Sequence, residues 1–84
     1  MMTELEWMRI FAGNLQSLMN EERMSQNELS RRTGISQATI SRYLNAQCMP
    51  SVNALVNIAH VFRGVTINDI LYFYDKLELR PSRR

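Results

Sequence analysis

The feature that most restricts the fold of this chain is a three-residue break between two helical segments near its middle. Gly34 can adopt the left-handed backbone conformation that closes a helix, and Ser36 is a favourable cap for a new helix beginning at Gln37. Two short helices joined by so short a turn must cross steeply. The sequence therefore predicts a helix–turn–helix over residues 26–45, whose second helix covers residues 37–45.

The residues around the break meet the local demands of such a crossing. The first helix needs a small residue where the second passes close to it, and Ser30 occupies that position. The junction also needs apolar side chains, and the chain offers Leu29, Ile35, Ile40 and Tyr43.

The rest of the chain is also helical in pattern, with no strand-like alternation. Thr3 with Glu6, and Ser25 with Glu28, predict capping boxes, while Ser51 and Thr66 are expected to cap two later helices. The side chains expected to face inward are Leu5, Met8, Phe11, Ala12, Leu15, Leu18 and Met19, then Val52, Leu55, Val56, Ala59 and Phe62, and finally Ile67, Ile70, Leu71 and Tyr74.

These elements predict an all-α fold, a compact five-helix bundle of the helix–turn–helix type. A chain of 84 residues is long enough for one domain, which we place at residues 1–79, and residues 80–84 read as a basic tail. The longest apolar runs are only a few residues, so we expect no membrane span, and we see no secretion signal. Cys48 is the only cysteine, which is typical of a reducing cytoplasm.

The charge distribution is weak evidence for a nucleic-acid partner. The net charge is +2, and the positive excess lies in the middle and at the end of the chain, whereas residues 1–24 are net acidic. Strong non-specific binding requires many phosphates to be neutralised, and this chain offers few cations.

The outer face of the predicted third helix is more informative. An ordinary solvated helix face favours Glu and Lys, but this one combines amide, hydroxyl, methyl and guanidinium groups that suit base edges in a major groove. Gln37 matches adenine, Ala38 a thymine methyl, and Arg42 either guanine or a phosphate. The alternative is a surface that contacts nothing. The residues that point outward together are Gln37, Ala38, Ser41, Arg42 and Asn45.

Residues 14–71 resemble the lambda Cro and repressor type of helix–turn–helix domain. The matching stretches are Asn-Leu-Gln-Ser-Leu at 14–18, Met-Ser-Gln-Asn-Glu-Leu at 24–29, Gly-Ile-Ser-Gln-Ala-Thr-Ile-Ser-Arg-Tyr-Leu-Asn at 34–45, Pro-Ser at 50–51 and Ile-Asn-Asp-Ile-Leu at 67–71. The resemblance implies a five-helix, commonly dimeric domain that binds operator DNA. It assigns base reading to Gln37, Ala38 and Arg42, and backbone contacts to Gln26, Thr39 and Asn45.

The expected site therefore has two parts. Gln37, Ala38, Ser41 and Arg42 would contact bases, and the DNA backbone would be contacted by Gln26, Ser36, Thr39 and Asn45. Two of these have plainer alternatives, since Gln26 can be an ordinary helix residue and Ser36 only a cap. We expect no metal, no cofactor and no enzymatic activity, because no nucleophile with its base, carboxylate pair or metal-ligand spacing can be assembled.

Tyr72, Phe73 and Tyr74 are consecutive, so they cannot all face a core, and we expect them at a homodimer interface. The function we predict is a sequence-specific regulator of transcription that binds double-stranded DNA. By the resemblance it is a repressor of the phage or mobile-element kind, in the bacterial cytoplasm and at the nucleoid when bound. The alternative is a protein-interaction module, such as an antirepressor or antitoxin, that uses the same fold to bind a regulatory protein partner.

Overall fold

The computed structural model describes residues 2–71, which form five helices and no strand. They are α1 (Glu4–Glu21), α2 (Gln26–Thr33), α3 (Gln37–Leu44), α4 (Val52–Val61) and α5 (Ile67–Leu71). The all-α, five-helix prediction is confirmed. The expected interface at Tyr72, Phe73 and Tyr74, the inward position of Tyr74 and the basic tail at 80–84 lie outside the described residues.

Short polar side chains begin the helices, as predicted. The Thr3 hydroxyl accepts from the Glu6 N–H at 3.1 Å, and the Glu6 carboxylate accepts from the Thr3 N–H at 2.7 Å, which completes the expected capping box. Equivalent single bonds begin three further helices, with Ser25 accepting from Glu28, Ser36 from Thr39 and Ser51 from Ala54. At the start of α5, Thr66 and Asp69 accept from each other's N–H groups.

The capping box predicted at Ser25 is only half formed. Ser25 accepts from the Glu28 N–H, but the Glu28 carboxylate pairs with the Arg32 guanidinium one turn further along α2. An arginine at i+4 is a charged donor, whereas the cap N–H is neutral, so the carboxylate takes the stronger partner.

The turn between α2 and α3 has the predicted backbone. Gly34 is the C-cap of α2 with φ 79° and ψ 4°, and its N–H donates to the Ser30 carbonyl. The Thr33 hydroxyl bridges the turn, because it donates to the Leu29 carbonyl at 2.7 Å and accepts from the Ile35 N–H at 3.1 Å. Ser30 itself is half-buried.

α3 ends one residue earlier than the sequence suggests. Asn45 is its C-cap, and Ala46 follows with φ 56°. The Ala46 N–H donates to the Tyr43 carbonyl and the Gln47 N–H to the Arg42 carbonyl, the pair of bonds that defines a Schellman ending. The left-handed Ala46 stops the helix although it is not a glycine.

One apolar core joins the five helices. α1 packs on α3 and α5, α2 packs on α3 and α4, and α4 packs on α5. The ring of Phe11 meets that of Tyr43 edge-on, with centroids 5.3 Å apart, so α1 supports α3 directly. The largest fully buried side chains are Phe11, Leu15, Leu18, Leu29, Ile40, Ile58, Phe62 and Ile70.

Two residues predicted to face inward are exposed. Leu5 is 44% exposed and Val52 is 73% exposed, and neither packs against the core. Each lies in the first turn of its helix, where the apolar period continues but no neighbouring helix covers it. In α4 the buried residues are Leu55, as predicted, and Ala54 and Ile58, which the prediction did not include.

Among residues 2–71, the polar side chain that is buried with the core is Asn14, which is 9% exposed. Its Nδ2 donates to the carbonyl oxygen of Ile70 at 2.5 Å and so ties the middle of α1 to α5. A buried amide is tolerated where it is hydrogen-bonded, as it is here. Within residues 2–71, no helix is both long and apolar enough to span a membrane.

Candidate nucleic-acid interface

The orientation of α3 is set by its buried side. Ile40 is fully buried and Tyr43 is 5% exposed, while Leu44 packs against the same core from a half-buried position. The opposite side of α3 faces solvent and carries the four residues predicted to contact bases. Gln37, Ala38 and Arg42 are exposed, and Ser41 is half-buried.

Gln37 is held by a residue of the preceding helix. Its Nε2 donates to Oδ1 of Asn27, at 3.0 Å, across the crossing of α2 and α3. Asn27 is exposed and is the second residue of α2. Sequence reasoning missed Asn27, because it lies ten residues before Gln37 and only the geometry of the turn brings the two amides together.

A chain of polar contacts follows the first turn of α3. Ser36 accepts from the Thr39 N–H at 3.1 Å and donates its own hydroxyl to Thr39 Oγ1 at 2.9 Å. Arg42 Nη2 approaches the same Thr39 oxygen at 3.4 Å. Thr39 Oγ1 thus has two polar neighbours, the Ser36 hydroxyl and the Arg42 guanidinium. A threonine hydroxyl can also donate to a phosphate oxygen.

Asn45, at the end of α3, is folded back on its own helix. Its Nδ2 donates to the Ser41 carbonyl at 2.9 Å and lies 3.5 Å from the Ser41 hydroxyl. A phosphate contact from Asn45 therefore requires the amide to give up the longer of these two contacts.

Gln26 is exposed at the first position of α2. The first backbone bond of α2 runs from the Leu29 N–H to the Ser25 carbonyl, so the N–H groups of Gln26 and Asn27 precede the hydrogen-bonded part of the helix. The positive end of the α2 dipole lies at the same place. This end of α2 is adjacent to the start of α3, through the contact of Asn27 with Gln37.

The charge of the surface formed by α2 and α3 depends on a few ionisable side chains. Arg32 is paired with Glu28, whereas Arg42 has no carboxylate partner within the part of the chain that the structure describes. Beneath α3, burial raises the pKa of the Tyr43 phenol, the nearby Cys48 raises it further, and Arg42 acts in the opposite direction. Tyr43 is therefore neutral at physiological pH and adds no negative charge under the exposed face.

The crossing of α2 and α3, the left-handed turn and the polar outer face of α3 together define a helix–turn–helix DNA-binding domain. The family model of the Cro/C1-type HTH DNA-binding domain matches residues 14–76, which is most of the chain. The protein belongs to this family and is a DNA-binding regulator, so the resemblance seen in the sequence is confirmed. A comparison with curated proteins and another with solved structures found no match.

Proposed function

We propose that the protein reads duplex DNA sequence by placing α3 in the major groove, and that it represses transcription as a dimer of the phage or mobile-element kind. The observation that carries this proposal is the exposed amide, methyl and guanidinium of Gln37, Ala38 and Arg42 on the side of α3 opposite buried Ile40 and Tyr43. Groups of this kind match the donor, acceptor and methyl pattern of base edges.

Each base-reading residue has a distinct role in the proposal. Gln37 binds adenine with its amide, Ala38 contacts a thymine methyl, and Arg42 binds guanine. Ser41, half-buried beside Arg42, contributes a hydroxyl that serves either as donor or as acceptor. The first residues of a recognition helix approach the bases most closely, so Gln37 and Ala38 contribute most to specificity.

The remaining site residues hold the protein on the DNA backbone. Gln26 and Ser36 lie at the starts of α2 and α3, where N–H groups and the helix dipole favour a phosphate. Thr39 donates its hydroxyl from the side of α3, and Asn45 reaches the backbone from the other end of the helix. These contacts fix the register of α3 without reading sequence.

Repression follows from occupancy of the operator. A dimer binds two half-sites about one helical turn apart and blocks access of the polymerase. The dimer contact is proposed at Tyr72, Phe73 and Tyr74. Because each subunit offers few cations, high affinity depends on joining two DNA-binding domains in one dimer.

The proposal is tested by in-vitro selection of the full chain on a random duplex library at near-physiological salt. We expect enrichment of a palindromic motif whose half-site spacing reports the dimer geometry. Gln37→Ala should then weaken binding by about 1–3 kcal/mol and relax the preference at one base pair. Gln16→Ala, at an exposed amide of α1, is the matched control and should change nothing. Selection without a motif would contradict sequence reading.

Arg42→Ala distinguishes between a guanine contact and a phosphate contact of the Arg42 side chain. If Arg42 binds guanine, its removal relaxes the preference at one base pair, a different one from that read by Gln37. If it binds phosphate, affinity falls evenly on all sequences and the salt slope decreases by about one. We expect the first result.

One observation favours the alternative function, a protein-interaction module of the antirepressor or antitoxin kind. Near the start of α1, Met2, Leu5 and Trp7 are 38%, 44% and 37% exposed. A groove of about 340 Å³ in the same region is lined by Met2, Glu6, Arg9 and Ile10. Binding that ignores salt and follows a co-purifying protein, together with selection that yields no motif, would establish this alternative.

A further inference from the structure

We propose that the groove at the start of α1 binds residues 74–77 of the same chain, which follow α5, and that Tyr74 and Leu77 supply the apolar contacts. This docking does not depend on the proposed reading of DNA. The groove has a volume of about 340 Å³ and is lined by Met2, Glu6, Arg9 and Ile10.

The groove lies on a part of α1 that precedes the family match. α1 begins at Glu4, whereas the match begins at residue 14. The first half of α1 is therefore an addition to the matched domain. Met2, Leu5 and Trp7 are exposed on it, and apolar side chains so close together are costly to leave in water.

α5 ends against the side of α1 that leads to the groove. The Asn14 amide donates to the Ile70 carbonyl at 2.5 Å, and Ile70 precedes Leu71, the last residue of α5. On α1, Ile10 lies one turn before Asn14, and Trp7 lies two turns before it on the same side. The chain therefore leaves α5 beside a row of side chains that runs from Asn14 to the groove.

The uncovered apolar surface along this row lies towards the start of α1. In the opposite direction, one turn after Asn14, Leu18 is already fully buried. Towards the start, Ile10 lies about 6 Å and Glu6 about 12 Å from Asn14 along the helix axis. Residues 72–77 would span about 9 Å as a helix and about 20 Å when extended. The segment is therefore long enough to reach the groove in either conformation.

The apolar spacing of α5 continues in the sequence past the described residues. Ile70 is fully buried, and Leu71 packs against the core from a half-buried position. Tyr74 and Leu77 follow Ile70 at four and seven residues, the spacing that places side chains on one side of a helix. Tyr72 has the opposite phase, so it remains available for the proposed dimer contact.

The charges at the rim of the groove are compatible with this occupant. Arg9 is exposed and has no carboxylate partner within residues 2–71, and Glu6 supplies a negative charge on the same side of α1. Asp75 and Lys76, between Tyr74 and Leu77, offer one charge of each sign. Exposed pairs contribute little energy, so the apolar contacts determine the stability of docking.

The single tryptophan of the chain, Trp7, reports on the groove through the quenching of its fluorescence by acrylamide. In the full chain, quenching should not depend on protein concentration. Tyr74→Ser or Leu77→Ser should each lower the ratio of docked to free segment by about ten- to hundredfold, because one buried side chain is lost. The variant with both substitutions should show the strongest quenching.

Matched controls are Tyr72→Ser and Leu79→Ser, which make the same changes at positions of opposite phase. Both should leave the quenching of Trp7 unchanged, and far-UV circular dichroism should show the same helix content in all variants. In the unmodified chain, nuclear Overhauser effects between the Ile10 methyl groups and the Tyr74 ring should be observed, which tests the contact without any substitution.

The possible occupants give different results. If the protection of Trp7 is lost on dilution, the groove binds a second copy of the chain and the proposal is wrong. If no variant changes the quenching and Ile10 shows no contact with Tyr74, the groove is open to a protein partner and the proposal is also wrong. Because none of these measurements involves DNA, failure of the docking leaves the proposed function intact, and failure of DNA binding leaves the docking intact.

Discussion

Replacing glycine by alanine should have opposite effects on stability at two positions of this chain. Gly34 has φ 79° at the end of α2, whereas Gly13 lies inside α1. At both positions an added Cβ would have no atom within 4 Å, so neither packing nor a clash contributes. The difference in stability between the two substitutions therefore isolates the effect of backbone conformation.

The size of each effect follows from the backbone conformation. A left-handed conformation costs an L-residue about 1–2 kcal/mol, and the lower freedom of alanine in the unfolded chain offsets about 0.4–1 kcal/mol of this. Gly34→Ala should therefore destabilise the protein by roughly 1 kcal/mol. Gly13→Ala should stabilise it by about 0.8–1 kcal/mol, the propensity difference between these residues inside a helix.

Urea denaturation followed by far-UV circular dichroism measures both effects as changes in the free energy of unfolding. In thermal melts each kcal/mol should appear as a shift of about 4–8 °C, downward for Gly34→Ala and upward for Gly13→Ala. Gly34→Asn should cost less than Gly34→Ala, because asparagine tolerates the left-handed region better. If Gly34→Ala stabilised the protein as Gly13→Ala does, the left-handed turn between α2 and α3 would be refuted.

Two further predictions concern the core. Asn14→Ala should lower the free energy of unfolding by about 1–3 kcal/mol, because the Ile70 carbonyl loses its donor. Asn20→Ala, on the exposed side of α1, is the control and should leave the free energy of unfolding unchanged. Equal stability of the two variants in urea would contradict the role of Asn14. The raised pKa of Tyr43 means that the folded state holds the phenolic proton more tightly than the unfolded chain. Its contribution to stability is therefore complete below the ordinary tyrosine pKa of about 10 and is lost as pH rises through the higher folded value. Tyr43→Phe, which keeps the ring against Phe11, should flatten that decline in unfolding free energies measured up to alkaline pH, and an unchanged decline would assign it to other groups.

Much of the fold could be predicted because its boundaries are decided by neighbouring residues. A cap needs only a short side chain and the N–H groups of the next turn, so Thr3, Ser36 and Ser51 were identifiable from sequence. The left-handed Gly34 is likewise a local requirement. The exposed face of α3 followed from helical periodicity once Ile40 was placed inside.

What could not be predicted depends on contacts between distant parts of the chain. The apolar periodicity includes Leu5 and Val52, but it does not show that the neighbouring helices leave both side chains exposed. The burial of Asn14 requires an acceptor that lies 56 residues away. The pairing of Asn27 with Gln37 requires the crossing geometry of two helices, which neither segment specifies alone.

The contact of α1 with α5 has a consequence for folding during synthesis. α1 is synthesised before α5, yet it is covered in part by α5, and the acceptor of Asn14 belongs to Ile70. Until that residue has left the ribosome, part of the apolar side of α1 remains in water and available to chaperones. The nascent chain can therefore complete its core only after α2 and α3 have already emerged.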